Sequence, residues 1–381
     1  VIKASWADFL HRRGVDPAAA TATRLTAGEI NDTWRIDVDD HHWVLRRYLR
    51  TDDPEDLDCE LAAIDHLSRS GFPTPAVIGV NETTRRRPQG SAVDRSQAAG
   101  ERQDHESAGS QDHESAGSQD HGSGGSQDDG PGKVRRSGPR WWDWVDGRPT
   151  ALFAFAPGEH PAERPGGYGT SDLALGLRAA QLAGRLHRTM DSARVRGRRS
   201  PDRDPWRQIG RFLAGPSARL DLFAELIAPL RQVHQRLAPL YRQQTPPIPY
   251  GLVHNDIRPP NLLLGTDGEI TALLDFDDCL ESFLGYEFGA LVGNFGKDDD
   301  RRVVLDRVCA LIMAYDGVRP LTTAEREQLP DLLIAHAGAE GVRVVSHWLA
   351  GGNTDVALRD SYSVRQFLDL VHGRELLAAA L

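Results

Sequence analysis

Apolar and polar residues alternate from Arg24 to Val38, in "RLTAGEINDTWRIDV". "HHWVLRRYL" follows, with β-branched and aromatic content. The pattern predicts two strand pieces around a turn at 28–32, then a third strand. The period then lengthens. In "DDPEDLDCELAAIDHLSRSG", Leu57, Leu61, Ile64 and Leu67 share one helical face. Asp53 suits the N-cap, Pro54 the first helical position and Gly71 the stop. "PAVIGV" predicts a further strand, and "RWWDWVDG" one ending at Gly147. After Pro149 the character turns helical. "SDLALGLRAAQLAGRLHRTM", capped by Ser171, is followed by helical patterns over about 206–242, 300–316, 323–349 and 359–380. Thr322 and Glu325 form a capping box for one of them. At the front, "VIKASWADFLHRRG" predicts a short helix with Ser5 as cap, Asp8 in its first turn and Gly14 at its stop. The expected class is α+β. A helix within 1–20 leads into a small β-rich lobe over 21–148, followed by a larger α-helical lobe over 149–381.

Within the β-rich part the pattern disappears. From Gln103 the chain reads "QDHESAGSQDHESAGSQDHGSGGS", a period of eight repeated three times with almost no apolar residue. Such a segment cannot bury enough surface to offset its ordering entropy, so 94–137 is expected to be a disordered insert. His105, His113 and His121 recur within it. Mobile ligands offer no preorganised metal geometry, which favours a solvated tract. Residues 94–129 hold nine acids and two bases, a charge of −7 out of −10 for the chain. The remaining −3 says little about partners.

Composition narrows the class further. Hydrophobic content of 39% and charged content of 26% describe an ordinary globular protein. No apolar run approaches a membrane span, and the first residues do not read as a signal peptide. Cys59, Cys279 and Cys309 are far apart and odd in number, against a disulfide framework. The expectation is a cytoplasmic protein with a small-molecule partner and neither nucleic acid nor membrane.

The chemistry concentrates in "VHNDIRPPNLLL", 253–264. His254, Asp256 and Asn261 fit H-x-D-x-x-x-x-N, and "DFD" begins at Asp275, nineteen residues after Asp256. Between them "NLLLGTDGEITALLDFD" predicts a hairpin turning at Thr266-Asp267-Gly268, which brings Asn261 near Asp275. Phosphoryl transfer calls for this set: a carboxylate to orient and deprotonate a hydroxyl, and an amide oxygen with a second carboxylate to hold Mg²⁺. Singly, Asp256 reads equally as a turn residue, Asn261 as a strand-edge cap and His254 as structural. The joint order favours catalysis. A phosphate-binding cation is also required. The chain has lysine only at 3, 133 and 297, all outside the expected position. Arg46, in "WVLRRY", is therefore the candidate, with Glu60 as its helix partner.

These residues resemble the aminoglycoside phosphotransferase family, which includes choline, homoserine and hydroxylysine kinases. The likeness runs from about Leu25 to Leu291, in "LTAGEINDTWRI", "CELAAIDHLSRSGFPTPAVI", "DWVDGR", "LAGRLHR", "GLVHNDIRPPNLLL" and "LGYEFGAL". The resemblance implies a two-lobed protein-kinase-like fold that binds ATP, or in some members GTP, with Mg²⁺. It implies that Gly28 to Thr33, Asn31 included, cover the phosphates. Asp143, Trp144 and Val145 would form the hinge strip against the adenine edge, and Arg258 would contact phosphate. Glu287 stands where the family often has Asp. The acidic segment Asp277, Asp278, Glu281 and Glu287 is expected to line the acceptor site and favour an amine. The expected activity is O-phosphorylation of an amine-containing hydroxyl compound, such as an aminoglycoside-like or other antibiotic. A metabolic amino-alcohol kinase and a nucleotide-sensing pseudokinase are the alternatives.

Overall fold

The computed structural model describes residues 2–25, 31–51, 53–80, 140–161, 172–191, 193, 203–216, 224–351 and 361–381, without the side chains of 348 and 349. The insert expected over 94–137, Gly28 and Ser171 lie outside them.

The alternating segments form one antiparallel sheet. β1 (Thr21–Leu25), β2 (Asp32–Val38), β3 (His41–Arg47), β4 (Trp142–Val145) and β5 (Arg148–Ala154) lie in the order β1-β2-β3-β5-β4. β4 and β5 are joined by Asp146 and Gly147, both at positive φ (49° and 69°), as a tight hairpin turn requires. The sheet therefore runs past Gly147 to Ala154, beyond the boundary expected at 148. "PAVIGV" makes no strand. It lies along β5 through a bridge from Val77 to Phe153 and a bond from the Ile78 N–H to the Leu152 carbonyl (2.7 Å).

Two helices flank the sheet. α1 (Ala4–His11) buries Trp6, Phe9 and Leu10 against Ile36, Leu45, Val145 and Leu152. Its cap position is Lys3 rather than Ser5, whose hydroxyl instead donates to Asp146 Oδ2 at 2.8 Å. α2 (Pro54–Arg69) follows the expected signals, with Asp53 accepting from the Glu55 N–H and Gly71 at φ +76°. Its face of Leu57, Leu61, Ile64 and Leu67 is buried and joins the main core. Each such Leu contributes about 2 kcal/mol.

The rest is helical, with short β pieces near the site. α3 (Leu173–Met190), α4 (Pro205–Ala214), α5 (Ala224–Arg242), α6 (Glu287–Phe295), α7 (Leu305–Asp316), α8 (Thr323–Ala350) and α9 (Tyr362–Ala380) pack around one core. Asp172 caps α3 by accepting from the Leu175 N–H. The capping box of α8 forms: the Glu325 N–H donates to Thr322 Oγ1 (3.2 Å), and the Thr322 N–H donates to Glu325 Oε2 (2.9 Å). The pattern read over 206–242 is two helices, and α6 had no periodic signal of its own in so short a run. β6 (Tyr250–Val253) pairs with β9 (Leu280–Phe283). β7 (Leu262–Leu264) and β8 (Ile270–Leu273) form the expected hairpin, with Leu262 opposite Leu273 and Gly268 at φ +78°.

Candidate active site

The loop between β6 and β7 carries His254, Asp256, Arg258 and Asn261. Three anchors hold it. The His254 ring packs edge-on against buried Phe276, with centroids 4.6 Å apart. Its Nε2 lies 3.0 Å from the Leu274 carbonyl, and its Nδ1 takes the Asp256 N–H at 3.3 Å. These two bonds select the tautomer protonated on Nε2. The second anchor is Glu287, at the start of α6 and fully buried. Its carboxylate accepts the backbone N–H of His254 (2.6 Å) and of Asn255 (3.0 Å). The third is His336 on α8, whose Nε2 lies 3.1 Å from Asn255 Oδ1. Asn255 sits at φ +66°, a conformation Asn tolerates better than most residues.

Behind Glu287 stands His187 of α3, with Nε2 at 3.4 Å from Glu287 and Nδ1 at 2.6 Å from the Tyr315 hydroxyl. Burial pushes the Glu287 carboxyl up. The hydrogen bond and charge of His187, with His254, outweigh it and hold the group below its ordinary value. Glu287 thus braces the loop from beneath, where it was expected to line the acceptor site, because its two carboxylate oxygens are taken up by loop N–H groups. A buried carboxylate aimed at two loop N–H groups is spoken for.

Above these anchors, Asp256 Oδ2 accepts from Asn261 Nδ2 (2.8 Å) and Arg258 Nε (3.1 Å). Both contacts fall on Oδ2, and the side chain is partly exposed. Burial pushes Asp256 up to about 7, helped by the charges of Asp278 and Asp275 and opposed by Arg258. Asp275, at φ +63°, lies just beyond β8. Burial disfavours its charged form, but Arg46 overcomes this and holds it below the ordinary carboxylate value. Arg46 Nη2 is 2.7 Å from Asp275 Oδ1 and 3.1 Å from Asp277 Oδ1.

Arg46 therefore reaches the expected cleft but not the expected partner. Glu60 is fully buried on α2 and accepts instead from the Tyr48 hydroxyl at 2.8 Å. The two aspartates across the cleft approach the guanidinium closely enough to take its place. Asn31 also closes on this segment, donating to Asp277 Oδ2 (2.6 Å) while its Oδ1 accepts the Leu49 N–H (3.0 Å). Asp277 is thereby occupied by Asn31 and Arg46. Asp278 meets Arg50 (3.5 Å) and Arg203 (3.7 Å), and the Glu281 side chain is exposed on β9. The four acids expected to form one acceptor surface thus go to different tasks, because alternation along β9 and the start of α6 turn them apart.

The hinge expectation also needs correcting. Asp143, Trp144 and Val145 lie on β4, the edge strand of the sheet, which turns back into β5 rather than leading to the helices. Val145 is buried against α1, Trp144 is exposed, and Asp143 is clamped by Arg13 (2.9 Å) and Arg12 (3.5 Å). The segment that crosses from sheet to helices is 155–161, after β5. There the Glu159 N–H donates to the Leu264 carbonyl (3.0 Å) and the Leu264 N–H to the Glu159 carbonyl (2.8 Å).

Among the described residues no group of three or more His, Cys, Asp and Glu converges as a metal site. A Mg²⁺ site needs fewer, since phosphates and waters complete the octahedron. Asn261 spends its amide nitrogen on Asp256, and Asp275 spends Oδ1 on Arg46, so each keeps one hard oxygen for a cation. The residues present fit that ion.

Sequence reading missed His187, His336 and Tyr48. The first two leave a trace: each is a histidine within an apolar helical run, "LAGRLHR" and "LLIAHAGAE".

A model of the Phosphotransferase enzyme family matches residues 21–115 and 137–321. Among curated proteins, the homoserine kinase of Gluconacetobacter diazotrophicus is 31% identical over 186 residues, covering 49% of this chain and 54% of that protein. The homoserine kinase of a Chelativorans species is 30% identical over 193 residues, covering 51% and 55%. The chain thus spans about half the length of the curated relatives it matches. Among solved structures, a microcompartment-associated aminopropanol kinase superposes with a TM-score of 0.56 at 18% identity, covering 93% of this chain and 91% of its own. An amicoumacin kinase in complex with AMP-PNP, Ca²⁺ and Ami gives 0.55 at 13%, covering 94% and 89%. At such identities these two share the fold, which is the protein-kinase-like fold expected from the sequence.

Proposed function

The chain belongs to the phosphotransferase enzyme family, and from that premise we propose that it transfers the terminal phosphoryl group of ATP, with Mg²⁺, to the hydroxyl of a small amine-bearing alcohol. A metabolic acceptor of the homoserine kind is favoured over the antibiotic placed first on sequence grounds. The relatives near 30% identity are homoserine kinases, whereas the amicoumacin kinase shares the fold alone.

The observation that carries the reading is Asp256. Its carboxyl is oriented by Arg258 and Asn261 on one oxygen, which would leave the other to an acceptor, and burial pushes it up to about 7. A base with a pKa close to the working pH combines an available charge with a useful driving force. Asp256 Oδ1 would accept the acceptor's hydroxyl proton as that oxygen forms its bond to phosphorus and ADP leaves. The amide oxygen of Asn261 and the second oxygen of Asp275 would hold Mg²⁺, which would supply positive charge to offset that of the nucleotide phosphates. Arg46 supplies a cation toward the phosphates, where related chemistry commonly uses lysine. The backbone of 155–159 would meet the nucleotide base.

The test is ADP release with ATP and Mg²⁺ across hydroxyl compounds including homoserine, simple amino alcohols and aminoglycosides, with the phosphate ester identified by mass. Turnover of the small amino-bearing alcohols, abolished in Asp256→Asn, is expected. Best turnover on an aminoglycoside would restore the antibiotic reading. No ester from any compound would end the proposal.

A further inference from the structure

Asp277 is held from three sides. Its Oδ1 lies 3.1 Å from Arg46 Nη2, and its Oδ2 accepts from Asn31 Nδ2 at 2.6 Å. Its backbone carbonyl accepts from Arg203 Nη1 at 2.5 Å. The first two partners belong to the β-rich lobe. The third stands just ahead of α4, in the helical lobe. The Asp277 N–H points back to Asp275 Oδ1 at 3.5 Å, which ties the backbone of one residue to the carboxylate of the other. Asp275 sits at φ +63°, a conformation that a residue with a side chain keeps only where its surroundings hold it.

The same guanidinium reaches α2. Arg203 Nη2 lies 3.5 Å from Asp56 Oδ2, and Nη1 lies 3.7 Å from Asp278 Oδ1. Asp56 is buried in the first turn of α2, one turn before Glu60 on the same face. Glu60 accepts from Tyr48 and does not reach Arg46. The polar connection from α2 to the loop after β8 therefore runs through Asp56 and Arg203.

The base of Arg203 is itself fixed. Gln208 Nε2 donates to the Arg203 carbonyl at 2.6 Å. Asp204, the cap of α4, accepts from the Arg207 N–H (3.2 Å), Ser282 Oγ (2.7 Å) and the Tyr241 hydroxyl (2.9 Å). Two consecutive residues thus grip the segment from "DFD" to β9 at both ends, Arg203 at Asp277 and Asp204 at Ser282. Arg46 is the cation proposed for the phosphates, so its hold on Asp277 competes with a nucleotide. The bond from Arg203 to the backbone carbonyl does not.

We infer that Arg203 is a positioning residue for the metal-holding carboxylate: it fixes Asp275 through the Asp277 backbone and couples that loop to α2 through Asp56. The inference rests on the phosphotransfer reading for the role of Asp275, and adds a residue that acts through another. A planar guanidinium suits the task because its fork meets a carbonyl and a carboxylate together, whereas an ammonium acts as a point charge.

The experiment measures ATP affinity by calorimetry, with Mg²⁺ and with EDTA, for wild type, Arg203→Gln, Arg203→Lys and Asp204→Asn. Steady-state kinetics and urea unfolding run alongside. Wild type should bind ATP more tightly with Mg²⁺ than with EDTA. Arg203→Gln should weaken binding by roughly tenfold with Mg²⁺ and by less than about twofold with EDTA. Its kcat should fall as well, while KM for the acceptor changes by less than about twofold. Arg203→Lys should recover part of the Mg²⁺-dependent affinity. Asp204→Asn, at the other end of the segment, should lower the urea midpoint and keep the wild-type ratio of the two affinities. A wild-type ratio in Arg203→Gln, or an equal fall of the ratio in Asp204→Asn, makes Arg203 merely structural and overturns the inference. If Arg203→Gln does not fold, a wild-type ratio in Arg203→Lys overturns it in the same way. Equal wild-type affinities with Mg²⁺ and EDTA overturn the metal assignment and the inference with it. The binding comparison decides on Arg203 even where no compound is phosphorylated, a result that falls on phosphotransfer alone.

Discussion

Arg46 Nη2 stands 2.7 Å from Asp275 Oδ1 and joins the third strand of the sheet to the loop after the β7–β8 hairpin. One side chain thus links the two lobes at the position proposed for the nucleotide phosphates. Arg46→Ala should raise KM for ATP about tenfold or more and slow transfer, since a charge-assisted contact to phosphate is lost. It also leaves Asp275 and Asp277 facing each other. A stability loss of about 1–3 kcal/mol is expected, reduced from a fully buried pair because Asp275 is partly exposed. Arg46→Lys should restore part of both. Urea unfolding and steady-state kinetics are the measurements, and unchanged KM in Arg46→Ala would remove the guanidinium from the phosphate site.

Asp256 sets the expected pH profile. With a pKa of about 7, kcat/KM should rise about tenfold per pH unit below neutrality and level off above it. Asp256→Asn should lower kcat about 100- to 10,000-fold.

The same residue makes a prediction for stability. Its native pKa lies above the unfolded value, so between about pH 4 and 7 the unfolded chain has lost a proton that the native state keeps. Native stability from this group therefore falls as pH rises through that window. In nucleotide-free protein, Asp256→Asn should gain on wild type between pH 5 and pH 8 in urea unfolding. A difference that does not change with pH would mean the carboxyl is not raised.

Glu287 should behave as a positioning residue. Glu287→Gln puts an amide N–H₂ against a backbone N–H, leaving one buried donor unpaired at about 1–3 kcal/mol. The catalytic loop loosens with it. The expected signature is a fall in kcat with little change in KM for ATP, together with a lowered urea midpoint. A raised KM for the acceptor with normal kcat would instead return Glu287 to the acceptor site.

Gly289, on α6, tests the packing that seats His336. A Cβ there would lie 2.0 Å from His336 Cγ and 2.5 Å from its Cβ. Gly289→Ala should cost about 1–3 kcal/mol or more by overpacking, and should lower kcat through Asn255. Gly341→Ala, whose Cβ meets nothing nearer than Val364 Cγ2 at 3.6 Å, is the matched control and should be neutral or stabilising. Equal thermal midpoints for the two variants would contradict the close approach.

Much of this was present in the sequence because it depends on near neighbours. The Asp53–Pro54 start of α2, the Thr322–Glu325 box of α8 and the β7–β8 hairpin each follow from residues within one or two turns of each other. The order Asp256, Asn261, Asp275 was legible for the same reason, since a short hairpin leaves little freedom in how its ends meet. The hinge was misjudged because "WDWV" and "TALFA" carry the same strand signal. Strand order, not local pattern, makes β5 the strand that leads to the helices.

The partners of the charged groups were decided by tertiary structure alone. Arg46 and Asp275 are separated by 229 residues, and Asn31 and Asp277 by 246. No period or cap relates such positions. Which of Glu60, Asp275 and Asp277 meets a guanidinium depends on how sheet and helices dock, and docking is set by the apolar faces between them. The sequence determined the chemistry that could occur, through the residue types in its loops. The packing of the core decided which carboxylates brace the catalytic loop from below and which turn toward the cleft, because a buried charge must take whatever partner the surrounding structure brings within hydrogen-bonding distance.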